Sequence, residues 1–225
     1  MQQARYRHEL KHYINYFDYL QLQSRLSHLM ASDENACDKG SYKVRSLYFD
    51  NLYDKALREK LEGFSVREKF RLRYYNDDTS YMKLEKKSKL NGLCLKEAGL
   101  ITRDECEMLL NGELSFLLAG NEKLFNELYA KMHTEQLRPK VIVDYQRQAY
   151  MYPAGNVRIT IDSDIRASRS VREFLSPQLF CPRVSNNIIL EVKYDDYLPQ
   201  VIVNSIQLKN RHATAASKYA MGRTI

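Results

Sequence analysis

A chain of 225 residues, 44% hydrophobic and 28% charged with only 8 Gly and 5 Pro, is neither low-complexity nor fibrous and can bury a proper core. Its net charge of +7 points to an anionic partner, without choosing among nucleic acid, a phosphorylated metabolite and an anionic membrane. Four scattered cysteines (Cys37, Cys94, Cys106, Cys181) with no CxxC pair argue against a zinc site or disulfide framework. The polar start MQQARYRHEL is no signal peptide, and no apolar run approaches the ~20 residues of a membrane span, so a cytoplasmic protein is expected.

Tyr6 to Ile14 reads as a first strand, with Arg5, Arg7, Glu9, Lys11 and Tyr13 on one face. Tyr16 to Met30 carries a helical stripe, and Ser32–Gly40 is a polar loop. Tyr42 to Phe49 is a strand ending at Asp50-Asn51, a helix cap for Leu52 to Leu61, which should stop at Gly63. Phe64 to Tyr75 alternates strictly: Arg67, Lys69, Arg71 and Arg73 on one face, Val66, Phe70, Leu72 and Tyr74 on the other. At ~7 Å and an effective dielectric near 20, each adjacent cation pair costs roughly 2 kcal/mol. Such a face therefore belongs in water or along an anion. After a turn at Asn76-Asp77-Asp78, Tyr81 to Lys89 is its hairpin partner, with Lys83, Glu85, Lys87 and Lys89 aligned.

Asn91-Gly92 is a hairpin turn leading to a short extended Leu93–Glu97. Thr102-Arg103-Asp104-Glu105 is a capping box opening a helix that Asn111-Gly112 ends, and Asn121 to His133 is a second helix. This block, about 102–137, reads as a helical insertion in one domain spanning 1–225. Strands resume at Lys140–Tyr152, turn at Pro153–Asn156 and return as Val157–Asp162, with Arg158, Thr160 and Asp162 on one face. Ser168–Val184 is irregular, and Ile188–Tyr194 is a strand with Glu191 and Lys193 aligned. Pro199 suits the first turn of a helix to about Leu208, and a last helical turn carries Ser217-Lys218-Tyr219.

At least five strands are thus charged on one face and apolar on the other. Two arrangements satisfy this. One is a closed antiparallel barrel, helices outside and a wet cationic interior; the other is an open sheet with a solvated charged face. The five histidines show no ligand spacing, and Tyr48-Phe49 reads as core.

Nine motifs in order discriminate further: Arg7-His8-Glu9-Leu10-Lys11, Ser46 to Asn51, Arg71-Leu72-Arg73, Leu84-Glu85-Lys86-Lys87, Leu95-Lys96-Glu97, Tyr145-Gln146-Arg147, Val157 to Asp162, Leu190 to Lys193, and Ser217-Lys218-Tyr219. Together they resemble the catalytic domain of the vacuolar transporter chaperone (VTC) polyphosphate polymerases, in the CYTH-like superfamily of triphosphate tunnel metalloenzymes. The resemblance implies an α+β fold: a closed antiparallel barrel of about eight strands with helices packed outside. It implies phosphate binding by Lys11, Arg71, Arg73, Lys87, Lys96, Arg158 and Lys218, and a metal, Mn²⁺ or Mg²⁺, on Glu191. Glu85 and Lys193 join as metal and phosphate candidates because they share the inward face. Glu9 stands where the superfamily's ExExK signature places a metal-binding glutamate, whereas Arg7 replaces that signature's first glutamate.

The implied reaction moves the γ-phosphoryl group of ATP onto a growing inorganic polyphosphate chain, with Arg71, Arg73, Arg158, Lys218 and Glu191 at the reacting phosphates. Arg71 and Arg73 match the family's phosphate pair, while Arg67 and Lys69 match no required position and are expected at the tunnel mouth. Hydrolysis of tripolyphosphate or a nucleoside triphosphate needs the same clamp, and a non-catalytic polyphosphate-binding module would share it. No nucleic-acid motif is present. The membrane segments and sensor domain of the eukaryotic polymerases are absent from this sequence, so coupling to translocation would need a separate membrane partner.

Overall fold

A computed structural model describes residues 6–33, 40–120, 122–208 and 211–224. Arg5, Cys37, most of the expected Ser32–Gly40 loop and the expected helix start at Asn121 lie outside the described residues. In chain order the elements are β1 (His8–Ile14), α1 (Tyr16–Leu29), β2 (Ala31–Ser32), β3 (Tyr42–Asp50), α2 (Lys55–Leu61), β4 (Val66–Tyr75), β5 (Asp78–Leu90) and β6 (Leu93–Ile101). Then come α3 (Arg103–Asn111), α4 (Lys123–Thr134), β7 (Arg138–Tyr152), β8 (Val157–Ser168), β9 (Arg183–Ser185), β10 (Ile188–Tyr194), α5 (Gln200–Ile206) and α6 (Lys218–Gly222).

Eight strands form one antiparallel path, β1-β10-β8-β7-β3-β4-β5-β6, with β2 and β9 attached beside it to β7 and β8. The path curls until its edges touch: Arg7 and Cys94 exchange both backbone hydrogen bonds, at 3.1 and 3.2 Å. Among the described residues the expected closed barrel is therefore a curled sheet joined at its seam by the Arg7–Cys94 bridge. Local chemistry explains the hairpins. Asn76 and Asp77 take φ of 51° and 58°, and Asn91 and Gly92 take 46° and 91°, the left-handed pair that matches strand twist in a two-residue turn.

The convex face carries two apolar cores. Phe70, Leu72 and Tyr74 of β4 and Met82 and Leu84 of β5 are covered by Cys106 and Leu109 of α3 and by Leu124, Phe125 and Leu128 of α4. Each such large side chain contributes roughly 1.5–3 kcal/mol by leaving water. Strand β6 and α4 approach so closely at Gly99 that a Cβ there would lie 2.5 Å from the Phe125 ring. On the other side, Ile159, Ile161, Leu190 and Val192 are covered by Leu22 and Leu26 of α1 and Ile202 of α5. Capping boxes at Asn15–Asp18 and Thr102–Glu105 start α1 and α3, and Gly112 at φ 86° ends α3.

Several boundaries differ from the sequence reading, and three of them have a plain physical cause. Strand β6 runs to Ile101, not Glu97, because it stays paired with β5 as far as Met82–Ile101. Strand β8 runs to Ser168, past the expected Asp162, because its ladder with β7 resumes after a bulge at Asp144–Gln146. Helix α2 begins at Lys55 because Leu52–Asp54 is spent on a turn, Asp54 adopting φ 53°. The Asp50 carboxylate still caps it, accepting from the Ala56 and Leu57 amides at 2.9 and 3.1 Å.

The concave face is not uniformly charged. Val44, Val141, Val143, Ile165 and Ala167 form a third apolar core there, and α6 seats on it through Tyr219. A Cβ on Gly222 would lie 2.8 Å from a Val143 methyl, so α6 lies against the sheet at this point. The expected helices pack outside, and α6 in addition seats on the concave face, at the edge of the polar cavity.

Candidate functional site in the cationic tunnel

Five strands and one helix bring cations to one place on the concave face. Strand β4 supplies Lys69, Arg71 and Arg73, β5 Lys87, β1 Lys11 and β10 Lys193. Arg147 and Tyr145 come from β7, Tyr48 from β3, and Lys218 from the first position of α6, capped by Ser217. These groups enclose about 50 Å³, a space for a phosphate group and not for a drug-sized molecule. The enclosure opens into a mouth of about 130 Å³ that Glu9, Lys60, Arg67 and Lys89 also line.

Four carboxylates hold the cations in place. Glu85, only 1% exposed, accepts from Arg71 Nε at 2.7 Å and Lys96 Nζ at 2.8 Å. Asp162, fully buried, accepts a fork of two bonds from Arg147 at 2.6 and 2.8 Å and pairs with Lys218 at 2.5 Å. Glu191 pairs with Lys193 at 3.1 Å and Lys11 at 3.3 Å, while Glu9 pairs with Lys11 at 3.0 Å and with Lys87. Burial pushes each carboxyl up, but the surrounding cations outweigh it: Glu9 and Asp162 come down to about 2, and Glu191 and Glu85 fall well below the carboxylate range. All four stay ionised at neutral pH. Eight cavity cations against these four leave a surplus of about four positive charges, which a triphosphate matches.

Lys69 differs from its neighbours. Among the described residues it has no carboxylate within ion-pair range, and its Nζ stands 5.5 Å from the centre of the Tyr48 ring. Burial, then Lys87, Lys11 and Arg71 nearby, pushes its ammonium down to about 7. The Tyr48 phenol, raised by burial, is brought below its usual value by Arg71, Lys69, Arg73 and Lys218, and it receives a hydrogen bond from Arg71 at 3.2 Å. A bound phosphate chain favours the charged form of Lys69. Above pH 7 that proton must be taken from solution, so binding weakens as pH rises from 7 to 9, by at most about tenfold per unit. Burial also pushes the Lys193 ammonium down, to about 8, so calorimetry in buffers of different ionisation enthalpy should show proton uptake at pH 8 that falls in Lys69→Met to the Lys193 share; equal uptake by both proteins contradicts the assignment.

The structure brings together Lys11, Arg71, Arg73, Lys87, Lys193, Lys218, Glu9 and Glu191 of the expected residues, with Glu85 behind Arg71. It does not bring Arg158 to this cavity. Its guanidinium turns to Asp33 and to the Tyr42 hydroxyl at 3.1 Å, at the β8 end that pairs with Lys193. Lys96 lies on the edge strand with its side chain 52% exposed, bound to Glu85. The expected metal set is also divided. Glu9 and Glu191 converge on Lys11, whereas Glu85 lies on the β5 wall among Arg71, Arg73 and Lys96. Among the described residues no three of His, Cys, Asp and Glu gather as a metal-binding group.

Sequence reasoning missed Lys69, Arg147, Tyr48, Tyr145 and Asp162. Period two already placed Lys69 beside Arg71 and Arg147 beside Tyr145. What it lacked was the helix seat that ends the cavity and selects which inward residues reach it.

A family profile described as the VTC domain matches residues 6–225. This chain belongs to that family. No curated protein matches the VTC domain chain in sequence. Among solved structures it is similar to a candidate adenylyl cyclase from Hippeastrum with a dominant triphosphatase activity: TM-score 0.56, 13% identity, 97% of this chain and 95% of that one covered. It is also similar to a candidate adenylate cyclase from Bacillus halodurans, with TM-score 0.53, 12% identity and coverage of 84% and 81%. The PH1012 protein of Pyrococcus horikoshii gives TM-score 0.53 and 12% identity over 96% and 98% of the two chains. These likenesses show a shared fold across nearly the whole VTC domain. No helix of the described residues is long and apolar enough to cross a membrane.

Proposed function

We propose that this VTC domain is a polyphosphate polymerase that transfers the γ-phosphoryl group of ATP to the end of an inorganic polyphosphate chain, releasing ADP. The observation that carries this reading is the walled cavity with its surplus of cations, continued by a mouth that Lys60, Arg67 and Lys89 also line. Phosphoryl transfer needs alignment and charge neutralisation more than a protein nucleophile. Arg71 and Arg147 hold Glu85 and Asp162 with one edge of the guanidinium and turn their remaining N–H groups, with those of Arg73, to phosphate oxygens, while Lys11, Lys87, Lys193 and Lys218 act as point charges. The terminal phosphate of the chain attacks the γ-phosphorus, the bond to the β-phosphate oxygen breaks, and the tunnel cations stabilise the charge that develops on that oxygen.

A divalent cation fits one corner. Glu9 and Glu191 already converge on a positive centre, Lys11 Nζ, at 3.0 and 3.3 Å, and two carboxylates plus phosphate oxygens are a donor set that Mg²⁺ or Mn²⁺ accepts. Held by Glu9 and Glu191, the cation would supply Lewis-acid withdrawal of charge from the phosphates. Lys11 and Lys193 would then be displaced toward the phosphates.

A triphosphatase reading has support of its own, because the similar Hippeastrum protein has a dominant triphosphatase activity. The same walls would then direct water at the terminal phosphate. Incubation with ATP and Mn²⁺, followed by product sizing, separates the two: the polymerase yields ADP and a chain stainable as polyphosphate, whereas release of orthophosphate alone overturns the polymerase reading. Tight polyphosphate binding without turnover under either metal would identify a binding module. Delivery of product across a membrane would call for a separate partner protein.

A further inference from the structure

The barrel wall has a gap. Strands β3 and β4 pair from Val44–Tyr75 to Tyr48–Arg71 and then part, β3 staying with β7 to Asp50 and β4 continuing with β5 alone from Phe70 back to Val66. The space left beside α2 is a groove of about 390 Å³, within the range of small-molecule sites. Its apolar lining comes from Phe49, Phe70, Val66, Leu90 and Leu137, and Ser88, Asn51 and Glu59 offer polar edges. An ion pair from Lys55 to Glu135, 2.9 Å, spans α2 and the end of α4 at its rim.

The groove is continuous with the phosphate site. It shares Ala56, Arg67, Glu68, Lys69 and Lys89 with the tunnel mouth, and Lys69 alone lines groove, mouth and inner cavity. Along this route the lining changes from a row of cations to a mixed wall, apolar at Phe49, Val66, Phe70, Leu90 and Leu137 and rimmed by charges of both signs, at one lysine that lacks a carboxylate partner among the described residues. A ligand that follows it must be anionic at one end, with a flat apolar body and polar edges at the other.

Resting on the ATP-dependent reading above, we infer that the gap between β3 and β4 seats the nucleoside of a nucleoside triphosphate whose phosphates lie on the tunnel cations, with Lys69 at the junction. The cavity itself is too small for a base and ribose, so the nucleoside needs a place outside the phosphate row. The groove provides one without blocking the rest of the mouth, which leaves that path for the growing chain. The base would lie against the apolar wall of Val66 and Leu90, and the ribose hydroxyls would meet the polar edge at Ser88 and Glu59.

The test compares ATP with tripolyphosphate, which has the phosphates and no nucleoside. Ser88→Tyr and Val66→Tyr, both on the groove side of their strands and away from the cation row, fill the space. Calorimetry on the folded full chain should show ATP affinity falling about fivefold or more in each variant, with tripolyphosphate affinity unchanged. Equal weakening of both ligands would make the gap a route for phosphate and overturn the inference, as would unchanged ATP affinity in both variants. Failure of the unaltered protein to bind either ligand would instead sink the functional reading on which this rests.

Discussion

Arg147→Lys is expected to cut tripolyphosphate affinity and ATP turnover roughly 10- to 100-fold, the loss of one or two charge-assisted hydrogen bonds at about 1.5–3 kcal/mol. The substitution keeps the charge that fully buried Asp162 needs, and removes the planar guanidinium that holds Asp162 with one edge and can meet phosphate oxygens with the other. Alanine would be a poorer probe. It would leave Asp162 with Lys218 alone, and breaking a buried ion pair costs about 3–5 kcal/mol of stability. The matching control is Arg158→Ala. Since Arg158 is engaged with Asp33 and Tyr42 and does not line the cavity, affinity should change by no more than about twofold. Isothermal titration with tripolyphosphate checks both, with thermal melts confirming folding. If Arg158→Ala loses more than Arg147→Lys, the phosphate row runs along the β8 wall and not where the cavity places it.

Glu191→Gln is expected to move two quantities in opposite directions. Removing one negative charge from the tunnel releases Lys193 and Lys11 from their shared partner, so metal-free tripolyphosphate should bind as well as before or more tightly. Metal-dependent turnover should fall by roughly 100-fold or more, the several kcal/mol ascribed to a cation stabilising transition-state charge. A Mn²⁺ titration of the variant at saturating ATP should need a higher Mn²⁺ concentration for half-maximal turnover. Full metal-dependent activity in Glu191→Gln would remove this carboxylate as a ligand. Loss of metal-free phosphate binding would instead make it a residue that positions Lys11 and Lys193. Glu85→Gln is the contrast: with Arg71, Arg73 and Lys96 around it and no second carboxylate near, its loss should alter phosphate binding through Arg71 and leave the metal titration unchanged.

Much of this arrangement was legible in the order of residues. The alternation of Arg67, Lys69, Arg71 and Arg73 against Phe70, Leu72 and Tyr74 states a two-faced strand, because successive side chains point to opposite faces. Which face turns inward was open until α3 and α4 closed over Phe70, Leu72 and Leu84. Motif order then identified Lys11, Arg71, Arg73, Lys87, Glu191 and Lys218, all of which meet at the cavity. Arg158 shows the limit of that reasoning. It lies on the same face of β8 as Asp162, but four residues along a strand separate them, and Asp33 from a distant segment engages its guanidinium. Lys69, expected only at the mouth, lines the inner cavity for the converse reason: one step of two residues along β4 keeps it beside Arg71.

By itself the amino-acid order determined the period-two strands, their charged and apolar faces, the helix caps, the hairpin turns and the family, since each depends on neighbours in sequence or on motif spacing. The tertiary structure alone decided three things: the Arg7–Cys94 bridge that joins the sheet's edges, the seating of α6 on the concave face, and the parting of β3 from β4. Each depends on where two distant segments stop touching. Strand periodicity carries no information about that, because it repeats identically on both sides of the stopping point.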